Sequence, residues 1–560
     1  MAFFQTNHFL GLLFLMASWE MPSHFPPWVS WHSEVPAFLA VLLIAWYGLI
    51  IAVKQGLSQV VSLPLTVLPL IALALVILLQ TLTRTIPFIG DTVVYSLYLI
   101  LCILCMVLSR ANGSAPKTYT VLASTLLLGA FLSAVVAFAQ VFELWEGSAL
   151  ISRMPQLRRP GGNLGQPNQL ATLLLMGLAS LIFLYESKKL GALASALLAL
   201  TLLTGVAATE SRTGVLSLFF LMLWWFAKRR SLGFRLSPWV VTCGGAAFLA
   251  LFWFWPRLLG LVLQTSGFGE QVNTSVGYRW LVWPQLIEAV LQRPWWGWGM
   301  GQVSTAHNAV VSAYAVSEPY TYAHNIVLDL AIGIGLPLTA LLVLVTGIWL
   351  WRRVRSAHQL APWYCLALIL PVAVHSMLEF PFAYAYFLVP VMFAVGALEG
   401  AVGAKPAFRL GVKPALVMLL VTTGVMAWSV VEYIAIEEDF RIVRFEALRI
   451  GTTPASYQRP RVILLTQLDA LLNGGRIVPK PDMSTDELEL ARKVALRFPW
   501  PATQNRYAQS LALNGNPDEA IRQLRVMRAL HGEKSYAQIK EGWGLLAHEK
   551  YPQLQTLRLP

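Results

Sequence analysis

Residues 61–81 read VSLPLTVLPLIALALVILLQT and contain no charged side chain. A run of this length and composition is typical of a helix that crosses a membrane, which requires about 20 apolar residues. Comparable apolar runs lie at 8–19, 36–53, 92–109, 118–142, 169–185, 190–208, 213–227, 238–255, 325–350, 361–374, 382–400 and 414–436. The sequence therefore predicts an all-α, polytopic integral membrane protein with about 13 transmembrane helices, within a range of roughly 12–14.

The composition excludes a single water-soluble domain. Of the 560 residues, 57% are hydrophobic and 12% are charged, whereas soluble domains contain about 25% charged residues.

The formal net charge of +13 is compatible with nucleic-acid binding, but the distribution of the charge favours another explanation. Alternate loops carry 15 basic residues, and the opposite short loops carry five. By the positive-inside rule the first set is cytoplasmic, so the N-terminus is cytoplasmic and the C-terminus lies on the other side, and no nucleic-acid partner is needed.

Two longer hydrophilic regions are expected on that outer face, in the loop after residue 255 and in the tail after residue 436. Within the tail, residues 505–524 contain two apolar-periodic segments around the turn Gly-Asn-Pro-Asp, which resembles one tetratricopeptide helix pair. We predict an N-terminal transmembrane bundle (1–255), a large outer loop (256–324), C-terminal transmembrane helices (325–436) and an outer helical domain (437–560).

Polar clusters concentrate at the predicted outer ends of the spans. The first is RRPGGNLGQPNQ at 158–169. Here Gln166, Asn168 and backbone N–H groups of the glycine-rich turn could bind an anionic group, with charge supplied by Arg158 or Arg159. The alternative is a structural turn in which Asn168 caps the next helix.

Two further clusters contribute arginines. Arg212 follows Glu210 and Ser211 in a short hairpin, where it either pairs with Glu210 or offers its planar guanidinium to a phosphate. Arg279 begins an expected amphipathic helix that precedes a Trp-rich, glycine-rich turn suited to the membrane interface. Because a cation at a helix N-terminus opposes the helix dipole, a purely structural role for Arg279 is disfavoured.

Two histidines follow in the outer loop. His324 and Asn325 precede the tenth apolar run, and Asp329 is expected inside that span, where an acidic residue tends to be functional. A second Ala-His-Asn sequence places His307 in the middle of the loop, where mobility is expected. His324 therefore ranks above His307 as a candidate base.

The last cluster contains His375, Glu379 and Tyr384. His375 and Glu379 are four residues apart, so a local structural pair is the alternative to a binding role. The predicted topology places all five clusters on one face of the membrane. Convergent polar groups with several arginines indicate an anionic amphiphilic substrate that arrives from the lipid.

These motifs together resemble a known superfamily. The carrying elements are Gly-Gln166-Pro-Asn168, Ser-Arg212-Thr-Gly, Arg279 before Gly-Trp-Gly, His324-Asn325, and His375-Ser with Glu379-x-Pro. Their order and spacing resemble the Wzy/WaaL superfamily of O-antigen polymerases and ligases, and most of all the PglL-like bacterial protein O-oligosaccharyltransferases. The N-terminal Pro22-x-x-x-Pro-Pro and the helical tail are similar as well.

The resemblance implies an inverting, GT-C-like glycosyltransferase of the bacterial inner membrane. Its donor would be an oligosaccharide on undecaprenyl pyrophosphate, and its acceptor a Ser or Thr hydroxyl of a periplasmic protein such as a pilin. The loop 256–324 and the tail 437–560 would then be periplasmic. His324 would be the catalytic residue, with the substrate-binding set Arg159, Gln166, Asn168, Arg212, Arg279, Asn325, His375, Glu379 and Tyr384.

General chemistry agrees with these implied roles, because a neutral imidazole can accept a hydroxyl proton and guanidinium groups can hold a pyrophosphate leaving group. No carboxylate cluster resembles a metal site, so we expect neither metal nor cofactor. Three alternatives stay open: an O-antigen ligase with lipid A–core as acceptor, an O-antigen polymerase, and a membrane transporter whose polar residues line a pathway.

Overall fold

The computed structural model describes residues 9–56, 59–111, 113, 115–144, 147–154, 159–263, 277 and 279–560. Within these ranges the chain is helical almost throughout. The helices are α1 (Phe9–Glu20), α2 (Trp31–Lys54), α3 (Leu68–Leu82), α4 (Ile89–Arg110), α5 (Pro116–Val141), α6 (Pro167–Glu186), α7 (Ala192–Ala208), α8 (Arg212–Leu232), α9 (Pro238–Leu263), α10 (Arg279–Gln292), α11 (Val303–Val311), α12 (Ile326–Ile334), α13 (Leu336–Ser356), α14 (Leu360–Ser376), α15 (Ala385–Ala401), α16 (Val412–Leu448), α17 (Thr466–Gly475), α18 (Thr485–Arg497), α19 (Pro501–Leu513) and α20 (Pro517–Glu549). Two strands, β1 (Gln59–Pro64) and β2 (Pro406–Gly411), and four short 3₁₀ helices complete the regular structure of the described ranges.

Many of these helices are suited to a membrane. In the described part of the chain, eight are long and apolar enough to cross one: α2, α3 with the turn before it, α4, α5, α6, α9, α13 and α16. Helices α1, α7, α14 and α15 are apolar but shorter, and α8 ends in basic residues. Each predicted apolar run overlaps one of these helices. The all-α, polytopic class is confirmed, and the exact number of spans stays a prediction.

Two of the apolar runs are not continuous helices. Residues 61–64 belong to β1, and α3 begins only at Leu68. The run 325–350 is divided at Gly335, whose φ of +80° suits glycine and ends a helix. Asp329 consequently lies in the short α12, and the membrane helix that follows is α13. The tenth apolar run is therefore not one continuous helix, and the position of Asp329 inside a span stays a prediction.

The described residues divide into two units. The first contains the described residues of 1–71, 97–274 and 345–425. Its centre is α6, which is buried along nearly its whole length. An added Cβ at Gly177 would lie 2.4 Å from the Cβ of Ala130 in α5, so only glycine permits this approach of the two helices. The same unit contains the antiparallel pair β1–β2, in which Ser62 is opposite Arg409.

The second unit contains residues 72–96, the described residues of 275–344, and 426–560. Helices α10, α11 and α12 share an apolar core that includes Val282, Leu286, Val310 and Ile332. The predicted helix pair of the tail is present as α19 and α20. Helix α11 packs on α20 through Val311, in a cluster completed by Val526, Ala529 and Leu530. The tail therefore packs against α11 within this unit.

Candidate active site

The glycine-rich turn before α6 is held by buried amides. Gln140 of α5 accepts a hydrogen bond from Gly162 N at 2.9 Å and donates to Gly162 O at 3.1 Å. The Asn163 side chain donates to the carbonyl oxygens of Glu20 and Leu150, both at 2.9 Å. Because these amides fix the backbone on both sides, the turn is a rigid platform for the residues that follow.

Gln166 and Asn168 stand at the start of α6 in different roles. Gln166 occupies the N-cap position and its side chain makes no capping hydrogen bond, so it is available for other contacts. Asn168 lies within the first turn and does not cap the helix, in contrast to the structural alternative considered above. Its Oδ1 accepts from the Ser211 hydroxyl at 2.7 Å, and its Nδ2 donates to Glu379 Oε1 at 3.4 Å.

Ser211 links the beginnings of two helices. It is the N-cap of α8, and its Oγ accepts from Gly214 N at 3.0 Å while donating to Asn168 of α6. Two helix N-termini, each with a positive dipole end, therefore meet beside the exposed Arg212, which is the first residue of α8. This arrangement favours an anion. Arg159 Nε donates to Thr209 O at 2.9 Å, at the C-terminal end of α7; Arg158 lies outside the described residues.

His375 and Glu379 are both buried at the end of α14. The Thr172 hydroxyl donates to Asn168 O at 3.0 Å and lies 2.8 Å from His375 Nδ1. Since that hydroxyl has a single proton, this geometry assigns the imidazole proton to Nδ1 and leaves Nε2 as an acceptor. Glu379 accepts from Asn168, so the structure joins this cluster to the start of α6.

Tyr384 is the N-cap residue of α15 and stacks on Tyr386, with ring centroids 5.1 Å apart. Two contacts hold the backbone and ring around it. Glu34 Oε2 of α2 accepts from Ala385 N at 2.6 Å, and the Tyr386 hydroxyl donates to Gln169 Oε1 at 2.8 Å. The first unit thus brings Gln166, Asn168, Arg212, His375, Glu379 and Tyr384 to helix ends that are connected by hydrogen bonds.

His324 in the second unit has an unusual backbone. Its φ is +53°, the left-handed conformation that residues other than glycine adopt at a cost of about 1–3 kcal/mol, typically at functional sites. The preceding residue, Ala323, is held by two hydrogen bonds. Its backbone N–H donates to Asp329 Oδ2 at 2.8 Å, and its carbonyl oxygen accepts from Trp283 Nε1 at 2.9 Å. Asn325 caps α12 by accepting from two backbone N–H groups at 3.0 Å.

The surroundings of His324 keep its imidazole neutral. The ring stacks on Tyr320 at 4.4 Å between centroids. Burial, together with the positive charge of Arg279, lowers the pKa of His324 to about 3. Arg279 begins α10, and its charge acts on the imidazole within the same unit. A bound anion beside Arg279 would offset this effect and raise the pKa of His324.

His307 is in a different environment. It is fully buried in α11, so the expected mobile position in a loop was wrong. Its Nε2 lies 2.9 Å from Gln285 Oε1 and 3.1 Å from Ser317 Oγ, and Ser317 also donates to Gln285 at 2.7 Å. Burial lowers the pKa of His307 to about 4. The His307 imidazole therefore links α11 to Gln285 of α10 and to Ser317 in the loop that follows α11.

The predicted residues therefore form two groups. Arg159, Gln166, Asn168, Arg212, His375, Glu379 and Tyr384 lie in the first unit; Arg279, His324 and Asn325 lie in the second. Their convergence on one site stays a prediction. Sequence reasoning assigned no positioning role to the residues that hold them, among them Gln140, Ser211, Glu34 and Tyr320. Of these, only Ser211 had a local signal, since Ser before a helix start is a preferred N-cap.

The fold and these residues together define a class of protein. It is an all-α polytopic membrane protein with arginines, amides and a neutral histidine at its helix ends. The chain matches three families: a protein glycosylation ligase family over residues 160–185, the O-antigen ligase family over 194–343, and the C-terminal part of a virulence-factor membrane-bound polymerase family over 363–543. The matched segments contain every predicted site residue except Arg159.

Two curated proteins of Acinetobacter baylyi are similar to this chain. A general O-oligosaccharyltransferase is 27% identical over 546 residues, covering 94% of this chain and 92% of the relative. A ComP-specific O-oligosaccharyltransferase is 28% identical over 408 residues, covering 70% of each. The resemblance to the O-antigen ligase and polymerase superfamily, and to its O-oligosaccharyltransferases, is confirmed.

Proposed function

We propose that this protein transfers an oligosaccharide from undecaprenyl pyrophosphate to Ser or Thr hydroxyls of periplasmic proteins, such as a pilin. The observation that carries the proposal is His324, a neutral imidazole held in a left-handed backbone conformation beside Arg279. The names of the two relatives, one general and one specific for ComP, support a protein acceptor.

The arginines are assigned to the leaving group. A glycosyl pyrophosphate reacts faster when the negative charge that develops on the departing pyrophosphate is stabilised. Arg212 lies at two meeting helix N-termini, and Arg279 begins α10, so both can offer guanidinium N–H groups. Among the described residues, no three or more His, Cys, Asp and Glu side chains are grouped to hold a metal ion, and we assign charge stabilisation to the arginines.

His324 is assigned the role of general base. In the step, the acceptor oxygen forms a bond to the anomeric carbon, the bond from that carbon to the phosphate oxygen breaks, and the pyrophosphate keeps the electron pair. The hydroxyl proton passes to the imidazole. At rest the low pKa keeps the imidazole neutral; the charge of the pyrophosphate beside Arg279 raises that pKa while the reaction proceeds. A single displacement inverts the anomeric carbon.

Five more of the predicted residues are assigned to sugar binding or to the support of the residues that bind. Gln166, with a side chain that does not cap α6, and Tyr384, at the start of α15, are suited to sugar hydroxyls, which take hydrogen bonds and aromatic stacking. Asn168, His375 and Glu379 form the hydrogen-bonded support beneath them. We assign the protein to the bacterial inner membrane, with these groups and the tail 437–560 on the periplasmic side.

The test is reconstitution in a bacterial host that lacks its own ligase and makes one lipid-linked oligosaccharide. A pilin acceptor is co-expressed, and the intact mass of the pilin and the migration of lipopolysaccharide are both measured. We expect the pilin to gain one glycan mass, and the gain to be lost for His324→Asn and kept for His548→Asn, a change at an exposed histidine of the tail. An unmodified pilin beside normally expressed protein contradicts the proposal.

An O-antigen ligase is the second candidate, because residues 194–343 match that family. The same assay separates the two functions: a ligase adds the glycan to lipid A–core and leaves the pilin mass unchanged.

A further inference from the structure

Helix α10 is apolar on two opposite sides. One side contributes Val282 and Leu286 to the core of the second unit. The other side presents Trp280, Ile287 and Leu291, which are 69%, 49% and 64% exposed. A helix that faces water carries polar residues on its outer side, so this side of α10 is suited to an apolar environment.

The apolar side continues past the end of the helix. Trp295 and Trp296 in the following turn are 74% and 65% exposed. Tryptophan side chains at this exposure are typical of the boundary between lipid and water, where an apolar ring and an N–H group are both satisfied.

The same turn is joined directly to a membrane helix. Leu336, the first residue of α13, donates its backbone N–H to Pro294 O at 2.7 Å. An added Cβ at Gly335 would lie 2.3 Å from Trp295 O, so the two backbones are in close contact. This junction holds the end of α10 beside the N-terminal end of α13, a helix long and apolar enough to cross a membrane.

We propose that α10 is embedded in the lipid leaflet at the N-terminal end of α13, with Trp280, Ile287 and Leu291 among the acyl chains. The occupant of this surface is phospholipid. A second part of the proposal rests on the proposed function. A donor whose polyprenyl chain lies in this leaflet moves laterally along α10 to Arg279, the first residue of that helix. Arg279 and His324 are thus positioned for a substrate that never leaves the membrane.

Depth measurement tests the embedding without any catalysis. The exposed Cys243 is replaced by Ser, and nitroxide labels are attached to Ile287→Cys or Leu291→Cys in the full chain reconstituted in phospholipid vesicles. Leu545→Cys is the matched control, because Leu545 is an exposed leucine of the tail helix α20. We expect oxygen, which concentrates in lipid, to collide with the labels on α10 more often than a water-soluble nickel chelate, and the reverse at position 545.

Two outcomes overturn the embedding. If the nickel chelate reaches positions 287 and 291 as readily as position 545, α10 lies in water. If neither reagent reaches them, and the labels broaden one another's spectra in proportion to protein density, a second copy of the chain covers the surface.

Kinetics test the lateral approach. We expect Ile287→Ser with Leu291→Ser to raise KM roughly tenfold for a donor with a full polyprenyl chain, since apolar contact with the lipid is weakened. The kcat should be kept, and KM for a donor with a short, water-soluble chain should not change. Leu545→Ser should leave both values unchanged. An equal rise of KM for both donors contradicts lateral approach, whereas a wild-type protein that uses neither donor contradicts the proposed function and leaves the depth result standing.

Discussion

Replacing His324 by Asn separates the chemistry of the imidazole from its structural role. At a φ of +53°, alanine would add strain, whereas asparagine is among the residues that tolerate the left-handed conformation. The substitution does remove the ring that stacks on Tyr320, which is worth about 0.5–1.5 kcal/mol. The fold should therefore survive with a small loss of stability.

Activity should fall far more than this stability loss explains. Removal of a general base costs roughly 10²–10⁴-fold in rate. The assay is transfer of glycan to a pilin, with the initial rate divided by the amount of folded protein from thermal unfolding in detergent. The comparison variant is His307→Leu. It removes the hydrogen-bond partner of Gln285 and Ser317, which should lower the free energy of unfolding by about 1–3 kcal/mol.

The two variants should show opposite signatures. We expect His324→Asn to be stable and inactive, and His307→Leu to be less stable and active per folded molecule. If His324→Asn keeps a tenth or more of the wild-type rate, the imidazole is not the base. If instead His307→Leu is the inactive but stable variant, the assignment of the two histidines is reversed.

Four further outcomes are expected. Arg279→Lys should lower kcat/KM by roughly 10–100-fold, because the planar fork is lost. Arg279→Gln should also move the acid limb of the pH–rate profile to higher pH, since the charge that lowers the pKa of His324 is gone; an unmoved limb contradicts their coupling. Asn168→Leu should reduce the free energy of unfolding by about 1–3 kcal/mol, visible as a lower Tm at constant expression. The pKa of His307 is lower in the folded protein, about 4, than in the unfolded chain, so the unfolded state binds more protons between pH 6.5 and 4. The free energy of unfolding should fall as pH decreases through this window, by about 2 kcal/mol at pH 5. If the Tm of His307→Leu depends on pH as strongly as the Tm of the wild type, His307 is not the cause.

The membrane fold could be predicted because long apolar runs have few structural alternatives. Each run overlaps a helix, and the errors lie where a short-range signal was overlooked. Gly335 divides the tenth run into α12 and α13, and Pro337 is tolerated in the first turn of α13 because no hydrogen bond is required of its nitrogen there. A uniform hydrophobic pattern conceals such a break.

The candidate site could be predicted in part. Asn168, Arg212 and Glu379 were found from local motifs, but their connections could not be. Asn168 bonds to Ser211 43 residues away and to Glu379 211 residues away, and such distances leave no trace in one sequence. The burial of His307 was missed for the same reason, since its partner Gln285 lies on another helix.

The pairing of β1 with β2 has a consequence for how the protein is made. Strand β1 ends at Pro64, and its partner begins at Pro406, so about 340 residues must be synthesised before the pair can form. At about 5–20 residues per second, the first strand waits roughly 20–70 s with its hydrogen-bonding edge unsatisfied. During this interval that edge is open to chaperones or to mispairing, and the pairing that ends it is a late event in biogenesis. A ribosome stalled before codon 406 should therefore yield a chain whose β1 segment is sensitive to protease, and one released after codon 411 a chain in which it is protected.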